Sequence, residues 1–65
     1  MMTMETFERW LDVNVGRRVR VTFETLVGER EFAGTLTRTN GGWTIGTDSF
    51  GFEMFGRVVD ATPEN

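Results

Sequence analysis

The fold is decided by residues 32–45, which read FAGTLTRTNGGWTI. Phe32, Gly34 and Leu36 alternate with polar or small residues, which is typical of a strand with one buried face. The run Asn40-Gly41-Gly42 follows, and an Asn-Gly pair supplies the positive φ angles that a type I′ hairpin turn needs. The stretch therefore predicts two antiparallel strands joined by a tight turn. Gly34 in mid-strand predicts a bend or a close approach of another backbone.

The residues on the N-terminal side of this stretch show the same alternation. Val19, Val21 and Phe23 are separated by polar or charged residues, so we expect a first strand with one buried face. Residues 26–30, which include Gly28, are predicted to form the turn that leads into the second strand.

On the C-terminal side, the third strand is predicted to run from Trp43 to about Thr47. Residues 48–51 have the composition of a turn, and residues 52–55 alternate again, which predicts a fourth strand. Gly56 interrupts that run, and a last short strand is predicted at residues 57–61. Residues 62–65 are expected to be a polar tail.

Residues 1–15 have the spacing of a helix instead. The apolar side chains of this segment lie on one helical stripe: Met4, Phe7, Trp10 and Leu11. Thr3 is the predicted N-cap, and Asn14 or Gly16 is predicted to end the helix. A helix of about three turns is marginal alone, so its apolar face must pack on the sheet of its own chain or on a neighbouring molecule.

Composition limits the functions that are open to the chain. It has 65 residues, too few for two cores, so residues 1–65 are expected to form a single domain. The absence of Cys and His excludes disulfides, zinc bound through those residues and histidine acid–base catalysis. Asp12, Asp48 and Asp60 are isolated from any nucleophile or base, so we expect no enzyme, no metal and no cofactor. No apolar run approaches the roughly 20 residues that cross a bilayer, and we expect a cytoplasmic protein that does not bind membranes.

One helix followed by five short strands predicts a mainly β fold, a small antiparallel barrel at residues 16–61. Residues 17–61 resemble the Sm-like branch of the small SH3-like barrels. Gly34-Thr35-Leu36 followed by Asn40 is similar to the first motif of that family, and residues 54–59 are similar to the second. The resemblance implies a five-stranded barrel that associates into rings. The chain departs from the RNA-contacting residues of the family, because Trp43-Thr44 and Phe55 stand at the corresponding places.

The preferred functional hypothesis is a non-enzymatic module that contacts a protein partner and associates with itself. Eight aromatic residues exceed what the interior of a small barrel holds easily, and some are therefore expected at the surface. The candidate contact residues are Trp43, Phe50 and Phe55, together with Trp10 on the helix. The edges of strands four and five are expected to be open to β-augmentation.

The alternative hypothesis is binding of RNA or single-stranded DNA. Its candidate residues are Arg17, Arg18, Arg20 and Arg57, which would hold phosphates beside an exposed aromatic ring. The formal net charge of −3 weighs against this hypothesis. A solvated sheet face, on which Glu24, Glu31 and Glu53 balance the arginines, is the simpler interpretation.

Overall fold

The computed structural model describes residues 3–64, which fold into one helix and five strands. The elements are α1 (Met4–Asn14), β1 (Arg18–Thr25), β2 (Gly28–Thr39), β3 (Gly42–Ile45), β4 (Asp48–Phe50), a 3₁₀ helix (Phe52–Arg57) and β5 (Val58–Pro63). The strands form one antiparallel sheet in the order β4-β3-β2-β1-β5. The prediction of a mainly β fold with a short N-terminal helix is confirmed. The end strands β4 and β5 do not pair with each other, so the described residues form an open sheet and not a closed barrel.

Helix α1 begins and ends where the sequence indicates. The Thr3 hydroxyl accepts a hydrogen bond from the Thr6 backbone N–H at 3.1 Å, which confirms Thr3 as the N-cap. At the other end, the Asn14 side chain is buried and donates to the Trp10 carbonyl at 2.8 Å. The helix packs on the sheet of its own chain, because Phe7 and Leu11 are fully buried in the core. Residues 1 and 2 of the predicted helical segment, and residue 65 of the predicted tail, lie outside the described residues.

Strand β2 is long and pairs with two neighbouring strands. Its residues 28–35 pair with β1, and its residues 36–39 pair with β3. At the change of partner, Gly34 has a φ of +147°, and a Cβ there would lie 2.7 Å from the Gly46 Cα. The predicted close backbone approach at Gly34 is confirmed, and it brings β2 against the turn that follows β3.

The hairpin between β2 and β3 has the predicted position but not the predicted geometry. Thr39 pairs with Gly42, which leaves the two-residue loop Asn40-Gly41. Neither loop residue has a positive φ, so the prediction of a type I′ turn is wrong. The glycine that the fold requires is Gly42, at φ +156°, because a Cβ there would collide with the Phe50 carbonyl oxygen of β4.

The structure differs most from the prediction in the C-terminal third of the chain. Strand β3 ends at Ile45, and the predicted turn at residues 48–51 is largely strand β4, which pairs with β3. The predicted fourth strand at residues 52–55 is wrong, because these residues belong to the 3₁₀ helix. Within the 3₁₀ helix Phe55 is the buried residue, and Val58, the first residue of β5, joins it in the core.

Strand β5 is longer than predicted. Thr62 and Pro63 pair with Arg20 and Val19, so the first two residues of the predicted tail belong to the sheet. The chain continues against β1 at Glu64, whose backbone N–H donates to the Arg18 carbonyl at 2.7 Å.

One hydrophobic core joins the helix, all five strands and the 3₁₀ helix. Its members are each at most 7% exposed: Phe7, Leu11, Val19, Val21, Phe23, Phe32, Leu36, Trp43, Ile45, Phe50, Phe55 and Val58. The alternation that predicted β1 is confirmed, since its three apolar residues are all in this core.

Candidate functional site

Three of the aromatic residues predicted to contact a partner lie in the core. Trp43 is 2% exposed, Phe50 is 6% exposed and Phe55 is 2% exposed. Trp43 and Phe50 are direct cross-strand partners, and their rings stack with centroids 6.0 Å apart. Phe55 reaches the same cluster from the 3₁₀ helix, 5.1 Å from the Trp43 ring. The expectation that these rings are exposed is therefore wrong, and they stabilise the fold instead.

The exposed aromatic ring of this region belongs to Phe52, which is 62% exposed. It lies edge-on to Trp43 with centroids 5.6 Å apart, and the Arg38 guanidinium lies 5.4 Å from the centroid of the Trp43 ring. The indole N–H of Trp43 is buried without a hydrogen-bond partner among residues 3–64. A buried donor of this kind is a cost to folding that the aromatic packing must exceed.

Trp10 keeps part of its predicted exposure. Its ring is half-buried and stacks on Phe7, with centroids 6.0 Å apart and an interplanar angle of 14°. It shares the outer side of α1 with the exposed Val13, and together with Thr6 and Arg9 these residues line a shallow apolar depression.

The four arginines predicted to bind nucleic acid do not form one surface. Phe23 pairs with Val58, the residue after Arg57, whereas Arg18 begins β1. Phe23 is five positions along β1 from Arg18, a distance of roughly 16 Å at about 3.3 Å per residue. Arg57 is therefore near one end of β1, while Arg17 and Arg18 are at the other.

Arg20 is engaged within the molecule. Its guanidinium is 2.9 Å from a Glu64 carboxylate oxygen and 3.0 Å from a Glu31 carboxylate oxygen. The hydrogen bond to Glu64, supported by the charges of Glu31 and Glu64, raises the pKa of Arg20 above its ordinary value. The predicted balancing role of Glu31 is confirmed, and Glu64 is a partner that the sequence did not indicate. The combined carboxylates compete directly with any phosphate for this arginine.

The most exposed apolar side chains of the described residues lie at the turn between β1 and β2. Leu26 is 98% exposed and Val27 is 90% exposed. The Thr25 hydroxyl donates to the Gly28 carbonyl at 2.6 Å and accepts from the Val27 backbone N–H at 3.3 Å. This side chain closes the turn, so the two loop positions need no turn-forming residue of their own.

This turn forms one wall of an open groove of about 340 Å³, which we call the β1–β2 groove. The 3₁₀ helix forms the opposite wall, where Met54 and Arg57 share a side because they are three residues apart. The groove residues are Thr25, Leu26, Val27, Arg30, Met54 and Arg57.

The two arginines of the groove have no carboxylate within 4.0 Å among residues 3–64. Ion pairs in this part of the chain engage Arg9, Arg20 and Arg38 instead. The Arg30 guanidinium lies 5.6 Å from the centroid of the Phe32 ring, a cation–π contact at the edge of the core. The β1–β2 groove therefore combines aliphatic walls with two positive charges that the described residues do not neutralise.

The sequence prediction missed this groove and treated residues 26–30 only as a connection. Strand β2 begins at Gly28, so the loop is just Leu26-Val27. A signal for the groove was present, because Leu and Val are unusual in a two-residue hairpin loop, where Gly, Asn and Asp predominate.

Other kinds of site receive no support within residues 3–64. This range holds no group of three or more Asp or Glu residues placed to bind a metal ion. Its one α-helix is too short and too polar to cross a membrane. Comparison with protein-family models, curated proteins and solved structures finds no match to the chain.

Proposed function

We propose that the protein is a non-enzymatic interaction module that binds a protein partner through the β1–β2 groove. The observation that carries this proposal is the nearly complete exposure of Leu26 and Val27 beside the half-buried Met54. Adjacent large apolar side chains left in water, with a concave surface next to them, are typical of contact sites. Burying either side chain in a complex returns about 1.5–3 kcal/mol of transfer free energy.

The architecture proposed for the module is a partly open small barrel of the SH3-like or Sm-like class, in which the described strands β4 and β5 do not pair with each other. The long β2 strand shared between β1 and β3 supports it, as does the bend at Gly34. A 3₁₀ helix that connects β4 to β5 supports it too, because it carries the chain from one end of the sheet to the other.

Self-association is part of the proposal. Among residues 3–64, strands β4 and β5 each pair with one neighbour, and the free edge of one copy can pair with the free edge of the next. Such a contact joins different surfaces, so it produces a ring or a filament and not a two-fold dimer. Light scattering at low and high salt tests it, and a monomer at every concentration and salt level would contradict it.

Nucleic-acid binding is the weaker candidate. Arg20 is held by two carboxylates, and Arg57 is at the far end of β1 from Arg17 and Arg18. A labelled oligonucleotide tests this alternative, because binding through phosphates must weaken steeply as salt rises.

The test of the proposed function is a selection of peptides from a displayed random library on the purified protein. The selected peptides are then measured against a Leu26→Ser/Val27→Ser double variant. We expect at least tenfold weaker binding, because the variant removes two apolar contacts but leaves the core intact. Val13→Ser is the matched control, since Val13 is 70% exposed on α1 and outside the groove. Equal binding to the double variant and to the wild-type protein would contradict the proposal.

A further inference from the structure

We propose that the segment bound in the β1–β2 groove is acidic as well as apolar, with carboxylates that pair with Arg30 and Arg57. This inference rests on the proposed function and specifies the chemistry of the partner. Its basis is the charge of the groove, in which both arginines lie beside aliphatic walls.

The lack of internal partners for these arginines is notable in an acidic chain. The protein has 10 acidic residues and 7 arginines, so carboxylates are in excess. Three of the arginines nevertheless take all the ion pairs within residues 3–64, and Arg30 and Arg57 are among the four that have none. The two groove arginines therefore keep their positive charge available at an apolar surface, where an incoming carboxylate supplies the missing partner.

The chemistry of arginine suits this role. A guanidinium presents planar N–H groups that match a carboxylate in a bidentate pair. The Arg30 guanidinium lies 5.6 Å from the centroid of the Phe32 ring, and no carboxylate among residues 3–64 pairs with its N–H groups. Burial of the apolar part of the ligand excludes water near the guanidinium and strengthens each charge-assisted hydrogen bond.

A peptide fits the groove better than a nucleic acid does. The walls supplied by Leu26, Val27 and Met54 are aliphatic, and the groove holds no aromatic ring on which a base can stack. A net charge of −3 repels a polyanion more strongly than a short peptide with a few carboxylates. The preferred occupant is therefore a segment with an apolar centre and Asp or Glu on both sides.

The experiment compares three labelled peptides that share a Leu-Phe centre and differ only in the flanking residues. These residues are Glu in the first peptide, Gln in the second and Lys in the third, and binding is measured by fluorescence anisotropy at low and high salt. We expect the Glu peptide to bind about tenfold more tightly than the Gln peptide at low salt, and the Lys peptide to bind most weakly. High salt should narrow these differences.

Two charge variants locate the binding. Arg30→Gln/Arg57→Gln removes the groove charges, and we expect it to bind the Glu and Gln peptides equally. Arg17→Gln/Arg18→Gln is the matched control, because it removes the same charge from the other end of β1. The control should keep the preference for Glu. Circular dichroism confirms that each variant folds. If the double variant does not fold, the single variants Arg30→Gln and Arg57→Gln replace it, and each should reduce the preference for the Glu peptide.

The remaining outcomes each overturn the inference. If the Gln peptide binds as tightly as the Glu peptide and the Leu26→Ser/Val27→Ser variant abolishes both, the groove binds protein without a preference for acid. The proposed function then survives. An equal loss of preference in the Arg17→Gln/Arg18→Gln control would mean that overall charge, and not the groove, attracts the peptide. Absence of binding by every peptide, including the selected ones, would reject both proposals.

Discussion

The close approach of two backbones at Gly34 allows a graded test of the fold that supports the groove. Gly34→Ala places a Cβ 2.7 Å from the Gly46 Cα and 2.8 Å from the Gly46 nitrogen. The clash is with backbone, so no side-chain rotation relieves it. In addition, alanine must adopt a φ of +147°, which L residues rarely occupy.

The expected loss of stability is the sum of three terms. Backbone strain at a positive φ costs about 2 kcal/mol, and forcing a methyl group into filled space costs about 2 kcal/mol more. The smaller entropy of the unfolded alanine chain offsets about 0.7 kcal/mol. The net loss is about 3 kcal/mol, close to the whole stability of about 3–5 kcal/mol that a core of this size supplies.

Substitutions at two other glycines measure the backbone strain separately from the steric clash. Gly28 has a φ of +109° with no atom within 4 Å of a Cβ, so Gly28→Ala carries only the strain and should cost about 1 kcal/mol. Gly41 has open space and no positive φ, so Gly41→Ala should be neutral or slightly stabilising. Urea unfolding followed by tryptophan fluorescence measures all three. If Gly34→Ala proves as stable as Gly28→Ala, the approach of β2 to the turn after β3 does not constrain the fold.

Three further predictions concern the helix and the sheet surface. Thr3→Ala should destabilise the protein by about 1 kcal/mol through loss of the N-cap, while Thr3→Ser should not, and thermal unfolding by circular dichroism compares them. Leu11→Ala should cost about 2–5 kcal/mol, because the side chain is fully buried, whereas Val13→Ala should change urea stability by less than about 0.5 kcal/mol. Arg20→Ala should lower the free energy of unfolding in urea at low salt but not in about 1 M salt, because salt screens its two surface ion pairs. Since these pairs raise the Arg20 pKa, their contribution to stability is fully present at neutral pH and is lost as the pH rises through that pKa.

Local pattern predicted the elements whose period is clear over several residues. The alternation of Val19, Val21 and Phe23 predicted β1, and the helical spacing of Phe7 and Leu11 predicted α1 and its buried side. Both patterns extend over enough positions to distinguish a period of 2 from a period of 3.6.

The region after β3 could not be predicted in the same way, because its segments are too short to show a period. Strand β4 has three residues, and the 3₁₀ helix has six. A strand would place Phe52 and Phe55 on opposite faces, whereas a 3₁₀ helix would place them on one side, and their spacing alone does not distinguish the two. The choice depends on the tertiary position of Phe55, which contacts the Phe7 ring of α1 at 5.1 Å between centroids. Such a long-range contact has no local signature.

The same reason explains why the aromatic residues were assigned to the wrong side of the protein. Trp43 and Phe50 lie beside turns, and a ring at a strand end was expected to reach solvent. In the folded chain the 3₁₀ helix places the Phe55 ring against the Trp43 ring, and Phe52 lies edge-on to Trp43. The rings of Phe52 and Phe55 therefore cover the strand end at Trp43, which the local sequence pattern does not show. The exposed apolar surface is found instead at Leu26 and Val27, where the hydroxyl of Thr25 holds the turn.

The loop between β1 and β2 shows how a site of this kind can be recognised from sequence. In a two-residue hairpin loop neither side chain is carried on the buried face of the sheet, so apolar residues there gain nothing from the core. The hairpin would close as well with Asn or Gly at these positions, because the Thr25 hydroxyl accepts from the Val27 N–H and donates to the Gly28 carbonyl whatever the two side chains are. Leu26 and Val27 therefore make no contribution to folding that explains their size. The fold does not need this apolar pair, and Arg30 follows it within a few residues without a carboxylate partner among residues 3–64. A ligand that supplies both an apolar surface and a negative charge explains the two features together.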